Sequence, residues 1–161
     1  MKVQLDRIDL AILAQLARNG RKSYTDIATE LSVSTSTIRN RVTRMVEQGT
    51  LTFFANANPN HVGLNAFATI HIRVSPSRLI EQVVAQLSAF PEVGFLATVA
   101  GDYDLHVDVM CLDNDHLTEL LQERIHLIDG VVDTKTTMVL HVHKNSHPDL
   151  SLLVELAEKS Y

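Results

Sequence analysis

Between Ser34 and Gln48 the chain spaces Ile38, Val42 and Met45 at helical intervals, which leaves Ser36, Asn40, Thr43 and Arg44 on the opposite side, with Thr37 and Arg39 at its margins. A helix built this way buries one face and offers short hydrogen-bonding side chains on the other. That surface suits a DNA major groove, because Ser, Thr and Asn reach base edges or phosphates without the bulk that holds a helix off the duplex, and Arg can fork onto guanine. Ser34 and the free N–H groups of the first turn, opened by Thr35, can hold a phosphate. Arg41 falls beside the apolar face, where it is expected to lie along the core and touch the phosphate backbone rather than a base.

A polar face is common to any surface helix, so the context has to favour DNA. Ala28, Val33, Ser34 and Ile38 stand at helix-turn-helix spacing: a small residue where two helices cross, an apolar turn residue, a cap and a core residue of the second helix. Ser32 departs from the usual pattern, because the turn tends toward positive φ and glycine commonly occupies it.

These residues need two more helices to support them. Leu5, Ile8, Ile12 and Leu16 share a helical face that ends at Asn19-Gly20, and Ser23 can cap a short helix carrying Ile27, Ala28 and Leu31. Gly49 stops the third helix. Thr50 to Ala57 reads as a strand, and Asn58-Pro59-Asn60 as a hinge. The rest alternates: strand Phe67 to Val74, helix Ser77 to Phe90, strand Val93 to Ala100, strand Leu105 to Leu112, helix Asp115 to Ile128, strand Lys135 to Val142. The order βαββαβ, with both helices on one sheet face, is the ferredoxin-like arrangement. The fold class expected is therefore α+β, an N-terminal winged-type helix-turn-helix domain over residues 1–60 followed by a ferredoxin-like βαββαβ domain over 61–145. Residues 146–161 form a helical tail, with an amphipathic helix expected from Asp149 to Lys159.

Charge divides along the same line. The chain carries −5 overall, but residues 1–60 hold eight Lys and Arg against five Asp and Glu, while the remainder holds six against fourteen. The first part is permissive for a polyanion and the second is not. No apolar stretch approaches a membrane span and the first nineteen residues are too charged for a secretory signal, so a cytoplasmic protein is expected. The single cysteine, Cys111, lies in an apolar run and reads as a buried, inert thiol. His141-x-His143 with His147 raises a metal site, but His71, His106, His141 and His143 read better as strand residues near a subunit interface, so no metal and no cofactor are expected. No nucleophile elbow, phosphate loop or spaced carboxylate pair is present, which argues against an enzyme.

In ordered succession, Leu5-Asp6-Arg7-Ile8-Asp9, then Ile27-Ala28 through Ser34, Arg41-Val42 and Gly49, then Gly101-Asp102-Tyr103-Asp104 resemble the motifs of the Lrp/AsnC (leucine-responsive, feast-or-famine) family of prokaryotic transcription regulators. The resemblance implies a homodimer paired through its sheets, assembly into an octamer or similar ring, double-stranded DNA as partner and an amino acid bound between dimers. Carried over onto this chain, the effector-binding residues are Gly101, Asp102, Tyr103 and Asp104, with Thr134 and Thr136 as further candidates. Backbone N–H groups of the Gly101–Asp104 connection could receive a carboxylate, and Asp102 and Asp104 an ammonium. The same four residues could equally be a hairpin turn with no other duty. Two other functions remain open: a sequence-tolerant architectural DNA-binding protein without an effector, and a ligand-binding regulatory subunit of an enzyme.

Overall fold

The computed structural model describes residues 5–55 and 57–144, together with Leu150 and Leu152. These divide into two units, one built on 5–55 and one on 57–143, each with its own core. Most of the expected tail helix, and His147, lie outside the described residues.

Three helices form the first unit: α1 (Arg7–Arg18), α2 (Tyr24–Glu30) and α3 (Thr35–Glu47). Each starts where its sequence offers a side-chain acceptor to orphaned backbone donors. Asp6 accepts from the Asp9 N–H and Asp9 returns the bond to the Asp6 N–H, a capping box; Ser23 and Ser34 cap the next two helices. Ile12, Ile27, Ile38 and Met45 are fully buried between the helices, each contributing about 1.5–3 kcal/mol relative to exposure. Leu150 packs against the same cluster. Ser32, in the turn between α2 and α3, stands at φ 54°, the left-handed conformation expected for that position, and Gly49 ends α3 at φ 69°.

In the second unit four antiparallel strands, β1 (Ala66–Val74), β2 (Val93–Thr98), β3 (Leu105–Cys111) and β4 (Val131–Met138), lie in the order β2-β3-β1-β4. Helices α4 (Ile80–Ser88) and α5 (Asn114–Glu119), the latter continued by a π-helical turn over Leu120–Ile125, supply Val83, Leu87, Leu117, Leu120 and Ile125 to one core. That core takes every second residue of β1 and β3: Ile70, Ile72 and Val74, and Leu105, Val107 and Val109. The alternate residues, among them His71, Arg73, His106 and Asp108, stand on the sheet face that the helices leave open.

Four expectations are corrected. Thr50–Ala55 is irregular: among the described residues no strand pairs with its backbone, and β-propensity alone makes no ladder. The last strand begins at Val131 and ends at Met138. Its register follows β1, pairing Val131 with Val74 and Met138 with Ala68, and beyond the Val139 N–H to Phe67 carbonyl bond β1 runs out. The helix expected from Asp115 to Ile128 is α-helical only to Glu119, and the one expected from Ser77 opens with a 3₁₀ turn over Ser77–Leu79.

Candidate nucleic-acid interface and effector site

α3 keeps its polar side open. Ser36, Arg39, Asn40, Thr43 and Arg44 are exposed, Thr35 and Thr37 are half-buried, and Ser34 caps the helix through the Thr37 N–H at 3.1 Å. The Ser34 hydroxyl also meets the Ser36 and Thr37 hydroxyls at 2.8 and 2.7 Å, so the head of the helix is a linked set of hydroxyl groups. The Arg39 guanidinium sits 5.9 Å from the Tyr24 ring centroid, resting on α2. Asn40 and Thr43 project with no partner bond that would compete for them among those described.

The two arginines that follow are both ion-paired; Arg41 lies half-buried beside the apolar face of α3, where the sequence placed it. Arg41 Nη1 donates to Asp6 Oδ2 at 2.6 Å and to Asp9 Oδ1 at 2.8 Å, and Arg44 Nη2 donates to Asp9 Oδ2 at 2.6 Å. Burial pushes the Asp6 carboxyl up, but the Asp9 backbone N–H and the Arg41 guanidinium outweigh it and hold the group below the usual carboxylate range. The hydrogen bonds that Arg41 donates to Asp6 and then to Asp9 raise its own pKa in turn. Sequence reasoning missed Asp9, although its signal was there. In Leu5-Asp6-Arg7-Ile8-Asp9 a second acid stands three residues after the cap on a helix whose next faces are apolar, so it must turn inward and needs a cation there.

On the second unit, Gly101, Asp102 and Tyr103 line a shallow depression of about 300 Å³ together with His71, Val99, Ala100 and Lys135. Gly101 stands at φ 152°, and the Val99 N–H bonds the Asp104 carbonyl at 2.8 Å, so the connection between β2 and β3 is tight. Arg73 stacks its guanidinium 5.2 Å from the Tyr103 ring and donates from Nε to the Asp102 carbonyl at 3.2 Å, which props Tyr103 in place. The Asp104 carboxylate is already engaged, accepting from the Val74 N–H at 2.8 Å. His71 Nδ1 is buried without a partner at the wall of the depression.

Thr134 and Thr136 do not join it. Their register against Ile72 and Ile70 puts them on the helix-covered side of the sheet, and Thr134 meets His126 at 2.8 Å. Lys135, paired in register with His71, borders the depression instead. One residue of register decides this, since successive strand residues face opposite ways.

A helix-turn-helix with an open polar third helix, in a chain that also carries a four-stranded sheet domain with a small depression, defines the class of DNA-binding regulators. Comparison with known proteins agrees. Residues 5–46 match the AsnC-type helix-turn-helix domain and residues 66–149 the Lrp/AsnC ligand-binding domain. An HTH-type transcriptional regulator of Pyrococcus horikoshii is 38% identical over 144 residues, covering 89% of this chain and 90% of that one. The regulatory protein AsnC of Escherichia coli is 30% identical over 137 residues, covering 84% and 90%. The solved structure of E. coli AsnC superposes with a TM-score of 0.83 at 28% identity, over 91% of this chain and 99% of that one. A Neisseria meningitidis transcriptional regulator, solved as a complex with L-Met, shares the fold at a TM-score of 0.81 and 23% identity, over 89% and 94%.

The chain belongs to the Lrp/AsnC family: it is a DNA-binding transcription regulator with a ligand-binding domain, and not an enzyme. Among the described residues no helix is long and apolar enough to cross a membrane.

Proposed function

We propose that residues 1–60 read operator DNA through the exposed side of α3, while residues 61–145 assemble the protein and sense an amino acid. Asn40, Ser36 and Thr43 contact base edges, Ser34, Thr35, Thr37 and Arg39 meet the sugar-phosphate backbone, and Arg44 reaches the DNA from an anchored position. The supporting observation is that the side of α3 away from its buried Ile38, Val42 and Met45 is exposed and made of short polar side chains.

Assembly is required because one helix of this kind carries too few free cations to bind DNA tightly alone. The open face of the sheet supports a homodimer. It carries Phe95, 53% exposed, beside His106 at 5.6 Å between ring centroids, with Met110 and Phe67 paired in register nearby. The effector enters the depression at Gly101–Tyr103, with Lys135 and the backbone N–H groups receiving its carboxylate and Asp102 its ammonium. Dimers joined around this depression give the octamer or a similar ring.

The test is a titration of each of the twenty amino acids against wild type and Lys135→Ala, followed by sedimentation and by affinity for a duplex selected by the wild-type protein. One or more should change assembly or affinity, at a higher concentration in the variant. No response to any would remove the effector. Asn40→Ala should cost about 1–3 kcal/mol of binding to the selected duplex, and an unchanged affinity would remove the assignment of α3.

A further inference from the structure

The Asp9 side chain is 2% exposed, a burial that acidic side chains reach only when paired, and each of its oxygens faces a different arginine of α3. The two arginines differ in what they have left. Arg41 is 22% exposed and its Nη1 is shared between Asp6 and Asp9, so it ties α1 to α3. Arg44 meets Asp9 alone, through Nη2, and remains 46% exposed one helical turn beyond Asn40. A guanidinium carries five N–H donors in a rigid plane, so anchoring one nitrogen sets the direction in which the remaining N–H groups point. The charges also cancel: Arg41 and Arg44 stand against Asp6 and Asp9, and the cluster offers DNA phosphates no net cation.

We propose that Asp9 is a positioning residue for DNA specificity: it holds Arg44 in one orientation on the recognition helix and cancels the charge by which an unpaired Arg44 would bind any duplex. This rests on α3 being the helix that contacts bases. The rotamer freedom of Arg44 is given up on folding rather than on binding, so its free N–H edge adds to readout only where a DNA acceptor lies in the set direction. Without Asp9 the same side chain becomes a mobile cation that favours phosphate everywhere.

The experiment uses the full chain and two duplexes of equal length and composition, one selected by the wild-type protein from a randomised library and one scrambled. Affinities are measured across a salt series for Asp9→Asn, Arg44→Gln, the double variant and Asn40→Ala, each checked by thermal melting. Asp9→Asn is expected to lower the ratio of selected to scrambled affinity about tenfold, mainly by tightening the scrambled complex, and to steepen the slope of log affinity against log salt by about one per protomer. Arg44→Gln is expected to lower the ratio by a similar factor, after which Asp9→Asn changes it no further.

Equal loss of affinity for both duplexes in Asp9→Asn, or an unchanged ratio in Arg44→Gln, overturns the proposal and leaves Asp9 a purely structural group. If Asp9→Asn does not fold, Arg44→Lys decides. It keeps the charge but cannot hold the fork, so it should lose the ratio while retaining scrambled-duplex affinity, and an unchanged ratio overturns the proposal. Asn40→Ala separates the two readings: lost selected-duplex affinity there, with an unchanged ratio in Arg44→Gln, rejects the role of Asp9 while α3 stands.

Discussion

Asp9 of α1 and Arg41 of α3 lie 32 residues apart in sequence and meet at 2.8 Å, with the carboxylate out of solvent. The pair crosses the three-helix unit at the place where α3 must be held if its outer side is to present a fixed pattern. Removing the arginine strands one oxygen of a buried carboxylate that only Arg44 then balances. Arg41→Ala is expected to destabilise the protein by about 1–3 kcal/mol in urea unfolding, and Arg41→Lys by less. A change within about 0.5 kcal/mol, the range of ordinary surface substitutions, would show that the pair contributes nothing net.

Ser32 holds φ 54° without glycine's freedom. A left-handed residue with a Cβ costs roughly 1–2 kcal/mol, partly offset in a glycine variant by its greater unfolded-chain entropy. Ser32→Gly should therefore raise stability by up to about 1 kcal/mol with no change in the operator chosen. A β-branched residue, Ser32→Val, should lower it by about 1–2 kcal/mol. Equal melting temperatures for all three would mean that the turn relaxes instead of storing strain.

Glu92 stands immediately before β2 with its carboxylate Oε1 held by Arg124 at 2.7 Å and His116 at 3.1 Å. Burial pushes this carboxyl up, but hydrogen bonds from its own backbone N–H, from His116 and from Arg124 outweigh that and leave it below its ordinary 4.5. A lowered carboxyl contributes stability that is present above the unfolded value and is lost as pH falls through the folded one. The melting temperature of the wild type should exceed that of Glu92→Gln most clearly at neutral pH, and the gap should close as pH falls below about 4.5. A gap that stays constant into acid would separate the substitution's effect from the charge.

Cys111 is fully buried in the sheet core, and burial pushes its thiol up to about 11. At neutral pH almost no thiolate forms, and the thiolate is the reactive species. The native protein should resist alkylation by iodoacetamide, and the same residue should react at once in denaturant. Rapid labelling of the native protein, followed by mass spectrometry, would show that the second unit opens locally.

Helix α3 was legible because its signals are local. A cap at Ser34, apolar residues at helical spacing and a stop at Gly49 require nothing beyond the backbone periodicity of one segment, and the same holds for the alternating strands and the two amphipathic helices of the second unit. Cys111 could be placed for the same reason, as one residue of an apolar run. The order βαββαβ then leaves few ways to arrange four strands.

Other features depended on which segments meet. Nothing local distinguishes an arginine free for phosphate from one held by an acid 32 residues earlier, so the pairing of Arg41 and Arg44 with Asp9 was decided by how α1 packs on α3. Whether Thr134 or Lys135 borders the Gly101–Tyr103 depression was decided by the register of β4 on β1, where a shift of one residue exchanges the faces. Of the strand expected over Thr50–Ala57, Thr50–Ala55 is irregular for a related reason, since a ladder needs a second backbone and none of the described residues supplies one there. Sequence by itself determined the helices, strands and exposed polar surface of a DNA-binding regulator. The packing of α1 on α3 and the register of the sheet decided which charges remain free to act, because charge pairing depends on distances of a few ångströms between residues far apart in the chain.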